Sequence, residues 1–534
     1  MPPFLPPEKA HLEGESENPD HKATPSDDAE VLIVDTPGGR FRAQFAPELP
    51  VSLLGALVFF TQYLCATGGF EALVADTPVC YSSNRAHRPR DVIGTLLLGM
   101  LSGHYRYAHL AALRGDDIAP SLLGLKSIVS EDCVRRALAR IGAEQGQDWL
   151  RRHLDQTCHG FLDNQWILDI DVTIKPIYGR QEGASIGYSP QKPGRPSHAY
   201  HTYHTYWIAT LRLCLDVEVH PGDQSAAGHG FAVLWALIDR LPAERRPHLL
   251  RGDCAYGQEA LLSEAEARKL NYLFKLRRTA KARELVAALE RTTTTTTAWT
   301  DAGQGWQGCE SCLRLQGWNR ARRVVVLRRR LNDQRHPRAH RRLVREQADH
   351  ALLLNIPDAA ACEPIIYEHQ ILVTSLPYEI LTLATLYRER GGAENPFDEL
   401  KNQWSWSGFT SQALNSCQHA ARLAALVYNW WTLYHRLLQP GQHHEAVSTR
   451  PRLLCGATRQ SEHSGQRRLD VRLSHAEAPR MSELITKLAR WLHGILHNAE
   501  QCSVALRWGQ IVARILQENS PVLGPEPPLA TAPS

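Results

Sequence analysis

The sequence lacks the features that mark membrane and exported proteins. Its first 30 residues are polar, acidic and rich in proline, without an apolar core, so they do not predict a signal peptide. The most apolar stretch, VSLLGALVFFTQYLCATGG from Val51, is short and interrupted by polar residues, which indicates a buried helix. We therefore expect no membrane partner.

A disulfide pattern and a large excess of one charge are also missing. The twelve cysteines are scattered over 534 residues, which argues against a disulfide scaffold and favours a reducing cytoplasm. The formal net charge of +4 is too small to indicate nucleic-acid binding by itself.

Signals for zinc are weak. The single CxxC motif, Cys309–Cys312, has no second pair at zinc-ribbon spacing. His198, His201 and His204 recur every third residue, but their segment leads into a predicted strand, where this spacing does not gather side chains. A zinc-dependent hydrolase is a distant alternative.

A chain of 534 residues is too long for one core, so two to four domains are expected. The predicted fold class is α/β, with a mixed-sheet core, a β-rich insertion and helical terminal regions. The predicted regions are a disordered tail (1–40), a helical N-terminal region (41–155), the first part of the core (156–280), a β-rich basic insertion (281–345), the second part of the core (346–440) and a C-terminal helical region with a tail (441–534).

The helical region contains one pattern that two folds share. SEDCVRRALARIG predicts a helix with its N-cap at Ser130, and this helix would present Arg135, Arg136 and Arg140. With SLLGLKSIV before it, the pattern fits a helix-turn-helix or an ordinary helical hairpin.

Apolar and polar residues alternate in the core. QWILDIDVTIKPIYG predicts a strand with Asp169, Asp171 and Thr173 on one face. Two more strands, a helix, a strand that ends near Asp253, a helix and a fifth strand follow. In open α/β sheets, ligands bind beyond the carboxyl ends of the strands, where Asp253 is predicted to lie.

Arginine is concentrated between Arg314 and Arg345, in RLQGWNRARRVVVLRRRLNDQRHPRAHRRLVR. Such clustering is typical of a phosphate-binding surface. A solvated loop or a basic surface strand is the alternative.

Four chemically distinct side chains lie at helical spacing in YRERGGAENPFDELK, residues 387–401. On a continuous helix, Tyr387, Arg390, Glu394 and Lys401 would fall within about 60° of one another. Pro396 interrupts this pattern, so the helix either bends before Lys401 or begins near Asn395–Pro396.

Asp171, Asp253 and Glu394 together predict a metal site. Three carboxylates suit Mg²⁺ or Mn²⁺ and do not suit zinc. Two such ions about 4 Å apart can hold the attacking and leaving oxygens of a phosphoryl transfer.

The spacing Y-(2)-R-(3)-E-(6)-K resembles the signature of DDE insertion-sequence transposases, which cut and paste DNA with an RNase H-like core. The segments LDIDVT, LLRGDCAYG, GYSPQKPGRPSH, VHPGDQSAAGH and LAALVYNWW are also similar to blocks of that family. The resemblance extends from about residue 45 to about residue 510. It favours Asp171 over Asp169 as the first acid, with Asp169 in a supporting role, whereas Asp223 is predicted to be a turn residue.

The resemblance implies roles for particular residues. Asp171, Asp253 and Glu394 would be catalytic and would bind two Mg²⁺, with Mn²⁺ as a substitute. Arg390 and Lys401 would hold phosphates, and Tyr387 would contact the DNA backbone near the cut. An aromatic residue in the insertion would stack on a flipped base, with Trp299, Trp306 and Trp318 available.

The partners follow from the same resemblance. They are double-stranded DNA, as element ends and target, and a second copy of the chain on that DNA, in the cytoplasm near a prokaryotic nucleoid. Lys192 and Arg195 are predicted DNA contacts from their Pro/Gly loop, with a solvated turn as the alternative. Two further alternatives are a domesticated DNA-binding protein that no longer cuts and a Mg²⁺-dependent nuclease without strand transfer.

Overall fold

A computed structural model of the chain describes residues 32–36, 39–43, 50–81, 83, 85–162, 165–187, 199–224, 230–292, 299–331, 367–441, 443–498 and 503–519. The chain divides into two compact units, Met1–Pro50 and Val51–Ser534. In the first unit, β1 (Leu32–Thr36) pairs antiparallel with β2 (Gly39–Ala43). The expectation of a disordered tail over residues 1–40 is therefore wrong for these strands. The β-branched residues Ile33, Val34 and Thr36 favour extended backbone in the first of these strands.

The second unit begins with β3 (Val51–Ser52) and a helical region, as the sequence predicts. Its α-helices are α1 (Leu57–Thr67), α2 (Gly69–Ala75), α3 (Pro89–Leu101), α4 (Ile118–Leu122), α5 (Glu131–Arg140) and α6 (Ala143–Cys158). The buried helix predicted after Val51 is confirmed as α1, whose Leu57 and Phe60 are fully buried. Among the described residues, no single helix is long and apolar enough to cross a membrane, and α1 and α2 meet that test only as a pair bent by 68°.

The predicted N-cap of α5 is confirmed. Ser130 Oγ accepts a hydrogen bond of 3.2 Å from the backbone N–H of Cys133. Arg135 and Arg136 form ion pairs one turn back, with Glu131 and Asp132. Because α4 has only five residues, an extended first helix of a helix-turn-helix is not seen before α5.

A nine-stranded mixed sheet forms the centre of the second unit, and its first five strands are those predicted. The strands in chain order are β4 (Ile167–Ile177), β5 (Ala199–Ile208), β6 (Leu213–Pro221), β7 (Leu249–Gly252), β8 (Asn271–Lys275), β9 (Thr300–Gly303), β10 (Trp306–Leu313), β11 (Arg322–Arg330) and β12 (Tyr367–Thr374). Across the sheet the order is β6-β5-β4-β7-β8-β12-β11-β10-β9. Strands β4, β7 and β8 are mutually parallel, and the remaining neighbours are antiparallel. The helices α7 (Phe231–Asp239) and α8 (Glu259–Ala267) connect β6 to β7 and β7 to β8.

The predicted insertion extends this sheet. Its first element is a helix, α9 (Ala280–Thr292), which β-strand patterning did not predict. Its strands β9, β10 and β11 continue the sheet beyond β12, which itself pairs with β8. Because each new strand satisfies the backbone groups of the previous edge, the insertion and the core share one hydrogen-bonded ladder.

After β12 the chain is mainly helical. The elements are α10 (Ile380–Glu389), a 3₁₀ turn (Arg390–Ala393), α11 (Glu394–Asn402), α12 (Leu414–Leu438), α13 (Ala446–Leu453), β13 (Ala457–His463), β14 (Gln466–Arg472), α14 (Ala478–His497) and α15 (Val504–Asn519). One helix was predicted over about 481–517, but the structure has two, α14 and α15. Strands β14, β13 and β3 form a separate small sheet.

The long helix α12 is buried on nearly every side and packs against β6 and α6. Its fully buried Arg422 donates a hydrogen bond of 2.9 Å to Asp216 on β6. Arg151 on α6 donates to the same carboxylate at 2.6 Å and also pairs with Glu218. Burial raises the pKa of Asp216, but the charges of Arg422 and Arg151 outweigh it and lower the pKa below its usual value. These four charged groups join three elements in the core.

Candidate active site

The first two predicted acids lie where the pairing of β4 with β7 ends, with Asp171 inside β4 and Asp253 just after the carboxyl end of β7. Ile170 on β4 is in register with Gly252 on β7, so Asp171 and Asp253 occupy the next position on adjacent parallel strands. Asp171 accepts hydrogen bonds from its neighbour Val172 N–H at 2.8 Å and from Arg390 Nη2 at 2.6 Å. Asp253 Oδ1 accepts from Ala255 N–H at 2.8 Å, in a turn that follows β7.

Asp171 is a partly buried acid with a strongly shifted pKa. Its side chain is 17% exposed. Burial raises the pKa of Asp171 from 3.8 to about 7; Arg390 lowers it, and the nearby charges of Asp253 and Asp169 raise it further. The two acids therefore lie close enough to repel one another, which is the condition under which a bound cation is favourable.

Asp169, the rival first acid, has a different role. It is buried, and both of its oxygens accept hydrogen bonds from Arg251 on β7, at 2.6 and 2.7 Å. Arg251 also donates to the carbonyl oxygen of Leu386 on α10. This pair links β4 and β7 to the helix that carries Tyr387. Sequence analysis did not identify Arg251, although it lies within the quoted LLRGD segment.

The four signature residues do not lie on one straight helix. Helix α10 ends at Glu389, a 3₁₀ turn covers Arg390–Ala393, and α11 begins at Glu394. The prediction that the four side chains lie on one face of a continuous helix is wrong. The alternative, that a helix begins near Asn395–Pro396, agrees with the structure within the usual uncertainty of helix ends. Pro396 is tolerated because the first-turn N–H groups of a helix have no intrahelical acceptor.

The tertiary fold nevertheless brings signature side chains to the acids. Arg390 pairs with Asp171, as described. Tyr387 is buried, and burial raises its pKa; the charges of Asp253 and Asp171 add to this effect and that of Arg390 opposes it. Burial lowers the pKa of Lys401, against the attraction of Asp398 and Asp171.

Three predicted site residues are only partly covered by the structure. Glu394 is the first residue of α11, but its side chain lies outside what the structure describes. Lys192 and Arg195 lie outside the described residues altogether. The structure therefore brings together Asp171, Asp253, Tyr387, Arg390 and Lys401.

The zinc alternative finds no geometric support in the described part of the chain. There, no group of three or more His, Cys, Asp or Glu side chains could hold a metal ion, a search that did not include the side chain of Glu394. On β10, Cys309 is buried and Cys312 is exposed, because strand residues three apart point to opposite faces. His201 and His204 have the same spacing on β5, and His198 lies outside the described residues.

The tryptophans of the insertion all lie against arginines. The guanidinium carbon of Arg328 is 3.9 Å from the Trp299 ring centre, and those of Arg329 and Arg322 lie 4.7 and 5.2 Å from Trp306 and Trp318. Trp306 and Trp318 are buried and Trp299 is partly exposed, and the base-stacking role of one of the three stays a prediction.

Within residues 314–331, the described part of the basic segment, five of the seven arginines form ion pairs inside the protein. The described ones that form ion pairs with carboxylates are Arg320, Arg322, Arg323, Arg328 and Arg329. For residues 314–331 this favours the alternative of a charge-balanced surface strand. The remainder, 332–345, lies outside the described residues.

Fold and site together define an α/β protein with an acidic centre where β4 and β7 part. The positively charged side chains near this centre are Arg390, in the turn after α10, and Lys401, on α11. The model of the family Transposase DDE domain group 1 matches residues 75–492, and the chain belongs to this family of DDE-type transposases. A comparison with curated proteins found no match. Among solved structures, the cryo-EM structure of a piggyBac transposase synaptic complex with hairpin DNA is similar at 11% identity over 89% of this chain and 88% of that chain, with a TM-score of 0.36.

Proposed function

We propose that the protein is a metal-dependent DNA transposase that cuts the ends of its element and joins them to target DNA at one acidic centre. The observation that carries this proposal is the convergence of Asp171 and Asp253 with Arg390 and Lys401, in a chain of this family. Within the family we place it in the insertion-sequence group with the Y-(2)-R-(3)-E-(6)-K signature.

The strand order supports an RNase H-like core. Numbered as they occur in the chain, the first five strands of the sheet lie in the order 3-2-1-4-5, with the first, fourth and fifth parallel. The other regions keep their proposed roles, with helices that read the element end, a homodimer on double-stranded DNA and a location near a prokaryotic nucleoid.

The acids fit hard divalent cations. Asp171 and Asp253 offer oxygen donors whose repulsion a cation would relieve, and Glu394 would complete the set. When bound there, Mg²⁺, or Mn²⁺ in its place, would activate the attacking oxygen and stabilise the departing one.

We expect Arg390 to have two partners, Asp171 in the protein alone and a DNA phosphate in the complex with metal and DNA. In the structure its guanidinium neutralises Asp171. With a cation held by Asp171 and Asp253, Arg390 would no longer have to balance the charge of Asp171 and would be able to donate to oxygens of the scissile phosphate. Lys401 adds a second positive charge to the same phosphate, and Tyr387 contacts the backbone beside it.

Cleavage of a linear DNA that carries an end of the element, with Mg²⁺, tests the proposal. We expect the wild-type protein to cut at the end and Glu394→Gln to be inactive, because Gln retains the shape of Glu without its charge. Equal cutting by both proteins would remove Glu394 from the mechanism. Binding without cutting by either would favour a domesticated DNA-binding protein, and cutting without joining would favour a nuclease.

Mg²⁺ binding is expected to weaken as the pH falls below about 7. Asp171 has a pKa raised to about 7 and must lose its proton to bind a cation, so the proton competes with the metal below that pH. One displaced proton corresponds to about tenfold in affinity per pH unit. The measurement is the Mg²⁺-induced rise in Tm at pH 6 and pH 8. Asp171→Asn should remove the dependence on pH, and an equal rise at both pH values in the wild-type protein would contradict the assignment.

A further inference from the structure

Four exposed cations follow directly after β8. They are Arg277, Arg278, Lys281 and Arg283, and within the described residues none of their side chains forms an ion pair or a hydrogen bond. They differ in this from the arginines of residues 314–331, five of which are paired with carboxylates. Positively charged side chains without a carboxylate partner remain available to bind an anion.

These cations lie at the same sheet edge as the catalytic acids. Gly252 on β7 is in register with Phe274 on β8, so Lys275 is level with Asp253 and Arg277 lies two residues further on. Because β4, β7 and β8 are parallel, their carboxyl ends open toward one crevice.

A cleft of about 530 Å³ adjoins this edge, and we call it the basic cleft. It is lined by Cys254, Gly257, Gln258, Glu259, Arg277, Thr279, Ala280, Lys281, Leu315, Gln316, Gly317 and Trp318. Cys254 directly follows the catalytic Asp253. The one carboxylate in this lining, Glu259, is bonded to Arg322 at 2.6 and 3.2 Å, so it does not oppose an incoming anion.

We propose that the basic cleft holds the DNA strand next to the scissile phosphate, with Arg277 and Lys281 bound to its phosphates. This inference rests on the proposed function. Guanidinium and ammonium groups without protein partners are suited to phosphate oxygens. A volume of about 530 Å³ lies in the range of small-ligand sites and has room for one or two nucleotides of one strand.

The test compares two double variants that each remove two positive charges. Arg277→Gln/Lys281→Gln alters the cleft, and Arg480→Gln/Arg490→Gln alters exposed residues of α14. Binding of DNA with an element end is measured by fluorescence anisotropy over a range of KCl concentrations. We expect the cleft variant to bind at least about tenfold more weakly and to reduce the slope of log K against log salt by about 2, one for each lost phosphate contact. The control variant should stay within about twofold of the wild-type protein.

A chemically altered DNA locates the contact. A methylphosphonate within the first three positions beside the cut removes one phosphate charge. It should weaken binding of the wild-type protein several-fold and add little to the defect of the cleft variant, because the contact is already lost. Additive losses, or equal behaviour of both double variants, would overturn the proposal. A wild-type protein that neither binds nor cuts the end would instead overturn the proposed function.

Discussion

Replacing Asp171 or Asp253 by Asn is expected to lower the rate of DNA-end cleavage by at least about 10³-fold. Each substitution retains the size of the side chain but removes a charged oxygen donor at the carboxyl edge of the sheet. The two residues are level with each other at neighbouring strands, and each is proposed to supply its own oxygen to the metal. The loss of one carboxylate is therefore not compensated by the other. The measurement is the rate of single-turnover cleavage of a labelled element end with Mg²⁺.

Binding of the same DNA separates a catalytic loss from a structural one. Asp171→Asn leaves Arg390 without its carboxylate partner, which frees a cation for phosphate, so binding should be retained or become tighter. The matched control is Asp223→Asn, an exposed acid in the turn after β6, which should cut like the wild-type protein. Cleavage within about tenfold of wild type by Asp171→Asn would contradict its role as a metal ligand.

The second large effect is expected on stability. Arg422→Met should lower the free energy of unfolding by about 3–5 kcal/mol, the usual cost of breaking a fully buried ion pair. Arg422 is completely buried on α12, and its loss leaves the Asp216 and Glu218 carboxylates with Arg151 and, at Glu218, with His220. Urea unfolding with an unchanged m-value would measure the loss.

A compensating substitution tests whether charge balance is the cause. In Arg422→Met/Asp216→Leu, Arg151 keeps Glu218 as its partner, with His220 beside that carboxylate, so most of the lost stability should return. Arg490→Met on the exposed surface of α14 is the matched control and should have little effect. A double variant no more stable than Arg422→Met would show that packing, not charge, explains the loss.

Local patterns were sufficient for much of the fold. The alternation in QWILDIDVTIKPIYG predicted β4, and the buried strand before Asp253 predicted β7. Both patterns are local because a strand alternates its side chains with a period of two residues. Placing Asp171 and Asp253 at one edge then needed only the rule that parallel strands open their carboxyl ends together.

The geometry of the break between α10 and α11 was harder to predict from the sequence. Gly391, Gly392 and Pro396 signalled an interruption, but their positions did not say how the two helices would be arranged. The pairing of Asp169 with Arg251 could not be predicted from local sequence patterns either, since it joins residues 82 positions apart. Its position between β4 and β7 depends on the crossover that makes those strands neighbours.

The sequence by itself determined which elements form and which side chains could do chemistry, because capping, periodicity and residue type are properties of short segments. Only the tertiary structure decided which charges are available. Five arginines within residues 314–331 are paired with glutamates from other elements, whereas Arg277 and Lys281 meet no carboxylate among the described residues and line a cleft with Cys254. Charge pairing over long sequence separations depends on which elements become neighbours, and that is a property of the sheet order and not of any one segment.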